Sequence, residues 1–312
     1  MGSTRLLWAV ACAGILAGCG GSGSSSAPQT GTLSLGLTDA PVEDVIGLHL
    51  YITGATAKRQ GASPESLPID LTDCAVVPGE NPDCNPVDLL TLQDGLILSV
   101  LADHEMLAGE YQWLRLEIDS SRSYVVEGTG GVNEDIEVRV PSERGLQLSG
   151  GFTILANQST DLAMDWDAKQ GLAHSIGTDS YIVKPSVRLI DLAQFGSIDG
   201  TVSDTITSGD CPEGGVVYVF EGDVTPDDID NNVPNPLTTA SVGPGDAGGF
   251  AYAVHYLPSG DSGMTYTVAL TCEAASDFVP TTDAAGDSDD AIAFVSPQTT
   301  VVTDGQTNTV SF

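Results

Sequence analysis

Leu114-Arg115-Leu116-Glu117-Ile118-Asp119 sets apolar and charged side chains in strict alternation. Successive side chains of a β-strand point to opposite faces, so Leu114, Leu116 and Ile118 share a buried face while the charges meet water. The same period recurs on both sides of this stretch. Leu33, Leu35 and Leu37 follow it, as do Ile46, Leu48, Leu50 and Ile52, and later Ile136, Val138 and Val140. Leu162, Met164 and Trp166 alternate with Asp161, Asp165 and Asp167, which are expected to form a wet sheet face. Gly, Pro, Asn and Asp punctuate the runs, which argues for antiparallel sheet with one buried face. Helical periodicity is scarce; a short helix fits only within residues 89–101.

After Phe195 the texture changes to shorter runs richer in Gly, Thr and Asp. Residues 216–220, 250–256, 266–272 and 307–312 are the clearest strands of this second unit, and its length suits a β-sandwich. The expected fold is therefore all-β: two antiparallel β-sandwich-like domains, over residues 31–195 and 196–312.

The N-terminus carries an address. Arg5 precedes an apolar run over residues 6–15, the layout of a secretory signal and too short to span a bilayer comfortably. Leu16-Ala17-Gly18-Cys19 then resembles the bacterial lipobox, which implies cleavage after residue 18 and a mature chain starting at a diacylated Cys19. Gly20 in place of Asp favours the outer membrane by the habit of that family. Residues 19–30 read as the lipidated cysteine with a Gly/Ser tether spanning about 18 Å as a coil. Two or three acyl chains, at roughly 0.8 kcal/mol per buried methylene, make such attachment effectively permanent. The membrane is therefore an expected partner, through the lipid.

The chain has 10 Lys and Arg against 43 Asp and Glu, a formal net charge of −33 at pH 7. Such a surface repels phosphate backbones, so nucleic acid is excluded as a partner. The acidity has two readings, calcium binding or a solvated surface suited to salt. The acids are spread along the chain and lysine is confined to Lys58, Lys169 and Lys184, which favours the second. Calcium enters through one loop in particular. Asp228, Asp230 and Asn232 have the alternate spacing of a calcium loop start, but Val233 and Thr239 occupy positions six and twelve, so it is no EF-hand. Asp283, Asp287, Asp289 and Asp290 form a second, equally incomplete cluster.

Beside Cys12 in the leader and Cys19, four cysteines remain, and an even remainder in an exported chain reads as disulfides. Of three possible pairings, the domain organisation selects Cys74–Cys84 and Cys211–Cys272.

Longer blocks carry a family resemblance. Gly31-Thr32-Leu33-Ser34-Leu35-Gly36-Leu37-Thr38-Asp39-Ala40-Pro41 opens the series. Residues 108–116, Leu146-Gln147-Leu148-Ser149-Gly150-Gly151-Phe152, residues 161–167 and residues 184–189 continue it in order. This part resembles the bacterial family called domain of unknown function 4382, which implies a surface lipoprotein and supplies no reaction and no catalytic residues. Residues 196–202, 248–252, 256–260 and 304–312 resemble a carboxypeptidase-regulatory-like, transthyretin-type β-sandwich, with residues 222–236 departing from the pattern. Such domains imply a passive module.

Candidate chemistry is thin. Gly260-Asp261-Ser262-Gly263 is similar to a serine-protease nucleophile segment but falls where the sandwich places a turn. His49, His104, His174 and His255 show no metal-ligand spacing, and no acid is placed to have its pKa raised for glycoside hydrolysis. The expected role is a non-enzymatic binding or scaffolding module of the cell envelope, with a glycan or protein partner. A calcium-dependent adhesion module is the nearer alternative and an envelope hydrolase the distant one.

Overall fold

The opening alternation lies in the strand Gly109–Ile118, with Leu114 and Leu116 buried and Glu117 in water. This computed structural model describes residues 28–40, 45–71, 86–93, 95–129, 132–140, 145–148, 150–175, 180–184, 186–209, 211–212, 214–229, 233–245, 248–260, 262–277 and 292–312. Over them the protein is all-β, with several antiparallel sheets.

Three sheets come from the first part of the chain. One runs in the order Val187–Asp191, Ser159–Asp167, Thr30–Ala40, Leu98–Leu107. The second orders Leu146–Leu148, Gly109–Ile118, Ile52–Arg59 and Glu65–Leu67. The third runs from Leu172–Ser175 through Ser180–Val183, Val132–Arg139, Tyr124–Thr129 and Gly47–Leu50 to Val87–Asp88. Their apolar faces meet in one cluster that includes Leu35, Leu48, Leu89, Leu98, Leu114 and Trp166.

Two four-stranded sheets follow, Gly243–Pro244, Phe250–Pro258, Phe195–Val202, Thr307–Thr309 and Thr238–Ser241, Val216–Glu221, Met264–Thr271, Phe294–Val302. In Val216–Glu221 both faces are buried. Val217 and Val219 face the cluster between these sheets, while Val216, Tyr218 and Phe220 pack against Ile229 and Ala274. The segment that departs from the sandwich pattern is therefore a cover. Ile229 within it is pinned by its amide, which donates to Asp277 Oδ1 at 3.0 Å.

Four sequence expectations change. Three strand pairs are parallel among the described residues: Thr30–Ala40 with Ser159–Asp167, Ser180–Val183 with Val132–Arg139, and Phe195–Val202 with Thr307–Thr309. Parallel pairing needs a long crossover, and the chain between these partners supplies it. The helix expected within residues 89–101 shrinks to the 3₁₀ turn Leu89–Leu92, capped by Asp88. The turn ends at Gln93 in extended conformation, Gly95 at a φ of 78° sits in the reverse turn that follows, and Leu98–Leu107 is strand. Single helical turns also occur at Ala168–Gly171 and Asp204–Thr207. Ile46 is exposed because it sits in a bend one residue before Gly47–Leu50, outside the alternation it seemed to join. Among the described residues no helix is long and apolar enough to cross a membrane.

Candidate functional site

The strand Ser159–Asp167 turns Leu162, Met164 and Trp166 into the core, as its alternation requires. Its opposite face is wet only at Ser159 and Asp161. Asp165 and Asp167 are buried, 4% and 2% exposed, because strands of the second half lie over that face. Thr38, Asp165, Thr239, His255 and Tyr256 meet there around a pocket of about 60 Å³, room for a few water molecules. Asp39, itself buried, also lines it.

A β-bulge aims two of these groups. Gly196 pairs with Leu257 and Ile198 with Val254, so His255 and Tyr256 share one opposing residue. Tyr256 takes the left-handed conformation, φ 55°, and its hydroxyl donates to the Gly95 carbonyl at 2.5 Å. Burial, and then the charge of Asp165, push its pKa up. Its ring packs on Phe195 at 5.1 Å.

Asp165, Asp167, Lys169 and Arg188, on or near this face, are engaged with one another, with Gln170 or with backbone. Arg188 donates to Asp165 Oδ2 through Nε at 2.9 Å and through Nη2. Asp167 caps the turn Ala168–Gly171, accepting from the Gln170 amide at 3.1 Å and from Gln170 Nε2 at 2.6 Å. Burial raises its pKa to about 6 despite those bonds. An acid in a raised-pKa environment was not expected from sequence, and Asp167 is one. Lys169 Nζ donates to the Ala274 carbonyl at 2.8 Å, and Gln170 Nε2 also reaches the Pro236 carbonyl at 3.0 Å.

The residues singled out from sequence are dispersed. Cys211 and Cys272 form the expected disulfide, with Cα atoms 5.0 Å apart. Cys19, Cys74 and Cys84 lie outside the described residues. Asp228 is buried, its amide donating to Asp227 Oδ1 at 3.3 Å, while Asp230, Asn232 and the second acidic cluster lie outside the described residues. Among the described residues no three His, Cys, Asp or Glu side chains are grouped to hold a metal. His49 stacks on Tyr124 at 4.5 Å inside the first half, and His255 joins the pocket. Gly260 and Gly263 close the expected turn, the Gly263 amide donating to the Gly260 carbonyl at 2.8 Å.

Sequence reasoning missed Lys169, Gln170, Arg188 and Tyr256. One signal was available: with so few cations in the chain, each buried one must serve a specific acceptor.

The architecture is that of an all-β protein whose two halves meet over a charged sheet face. The chain matches the family model "Domain of unknown function (DUF4382)" over residues 30–185, half of its length, and it belongs to that family. No curated protein matches the chain. A crystal structure of a candidate cell adhesion protein from Bacteroides fragilis NCTC 9343 aligns with 91% of this chain and 90% of its own, at 8% identity. Its TM-score of 0.22 is too low to argue a shared fold.

Proposed function

We propose that this chain is a lipid-anchored protein of the bacterial cell envelope, at the outer membrane, acting as a non-enzymatic binding or scaffolding module for a glycan or protein. What supports the reading most is how the buried charges are used. Asp165, Asp167, Lys169 and Arg188 are spent on bonds that hold the body together, a structural use of groups that catalysis would need turned toward a substrate. The lipobox-like Cys19 and the Gly/Ser run ahead of the first strand, Thr30–Ala40, support the anchoring part.

The test uses a soluble form of residues 20–312. It is sedimented with isolated cell-wall sacculi and with outer-membrane glycan, and both fractions are assayed for cleavage products. Retention without product is the expected result. Turnover that disappears on replacing one acidic residue would overturn the reading in favour of an envelope hydrolase. A melt with calcium and then with chelator completes it: a rise of several degrees in calcium at constant ionic strength would move the proposal to calcium-dependent adhesion through the Asp228 loop.

A further inference from the structure

We infer that residues 196–312 are the covering layer that completes the first β body, held in register by Lys169, so that the chain unfolds as one unit. The junction between the halves is too short and too well bonded to act as a hinge. Only residues 192–194 separate the strands Val187–Asp191 and Phe195–Val202. The Leu192 amide donates to the Asp161 carbonyl at 2.9 Å, the Gln194 amide to Asp191 at 3.1 Å, and the Gln194 carbonyl accepts from the Ser259 amide. Independent domain motion needs a free linker, and none is present here.

Lys169 fixes how the two parts sit. It is 5% exposed and projects from the turn Ala168–Gly171. Its ammonium donates to Ala274, a carbonyl of the other half. That acceptor is itself held in place. Ala274 lies two residues beyond Cys272, which is tied to Cys211, and Asp277 just after it accepts the Tyr218 hydroxyl at 2.6 Å. A buried ammonium donating to a fixed carbonyl tolerates little displacement, because a shift weakens a charge-assisted hydrogen bond where water cannot readily replace it. Such a group contributes register more than attraction. Direct bonds between the halves add to it, from Tyr256 to the Gly95 carbonyl and from Gln170 to the Pro236 carbonyl.

The experiment is a urea titration of residues 20–312 followed by two probes. Fluorescence of Trp113 and Trp166 reports on the first half, and amide hydrogen exchange across Val216–Glu221 reports on the second. The two midpoints should coincide, and Lys169→Met should lower both by the same amount. A second-half midpoint that separates from the tryptophan midpoint in the wild type would overturn the inference, a result that stands even if the Lys169 variant fails to fold. The paired replacement of Cys211 and Cys272 by Ser is the third arm. It should lower the tryptophan midpoint of a half that contains neither cysteine, and an unmoved tryptophan midpoint would count against a single unit.

Discussion

Asp167→Asn should gain stability relative to the wild type as the pH rises from 4 to 7. The carboxyl of Asp167 is 2% exposed, and its pKa rises from 3.8 to about 6 because burial penalises the charge. The folded state therefore holds this proton more tightly than the unfolded chain does. The associated stability is complete below pH 3.8 and is lost as pH climbs to about 6. Two units of displacement at 1.36 kcal/mol each correspond to roughly 3 kcal/mol lost by pH 7. Asn does not titrate, so its stability relative to wild type should improve by about that amount between pH 4 and pH 7. A constant offset is expected as well, since Asn presents an amide where Gln170 Nε2 now donates to Asp167 Oδ2. The offset cancels when the two pH values are compared. Urea midpoints read by tryptophan fluorescence at pH 4, 5, 6 and 7 supply the comparison. A variant-minus-wild-type difference that stays flat across that range would refute the reasoning, because the carboxyl would then be titrating as it does in water.

Arg188→Met should cost about 3 kcal/mol by leaving the buried Asp165 carboxylate without its partner, and adding Asp165→Asn should recover much of the loss in a double-mutant cycle. Gly200→Ala should destabilise by about 3 kcal/mol in urea, since an added Cβ would stand 1.7 Å from the Val310 carbonyl oxygen, which is backbone and cannot swing away. Tyr252→Phe removes the hydroxyl that donates to that same carbonyl at 2.6 Å, and its urea midpoint should report a loss of about 1 kcal/mol.

Alternation located the strand Gly109–Ile118, the buried set Leu33, Leu35 and Leu37, and most strands of the second half, because period two is a local property of the chain. It mistook Asp165 and Asp167 for a wet face for a reason of principle. Alternation says that two faces differ and is silent on what lies over the polar one, here a strand nearly a hundred residues away in sequence. The strand Phe294–Val302 escaped notice because Pro297 and mostly exposed polar side chains erase its alternation at the sheet edge. Tyr256 was illegible for a related reason: a one-residue bulge re-aims a side chain without marking the sequence, and an aromatic residue in the left-handed region carries no glycine to announce it. The family's own blocks were legible from residue 31 to residue 189, against a family match over residues 30–185, and they identify a lineage without a reaction.

The strand that follows the Gly/Ser run, Thr30–Ala40, is an interior one, flanked by Ser159–Asp167 in parallel and Leu98–Leu107 in antiparallel. A protein tethered at Cys19 would feel any tug between membrane and cargo at Thr30, directed along that strand. Pulling an interior strand lengthwise loads both flanking ladders in shear, so many hydrogen bonds resist together instead of opening one after another as at a peeled edge. A tether ending at Thr30 would thus pull where both flanking ladders resist together, and the strand would hold better than one at a sheet edge.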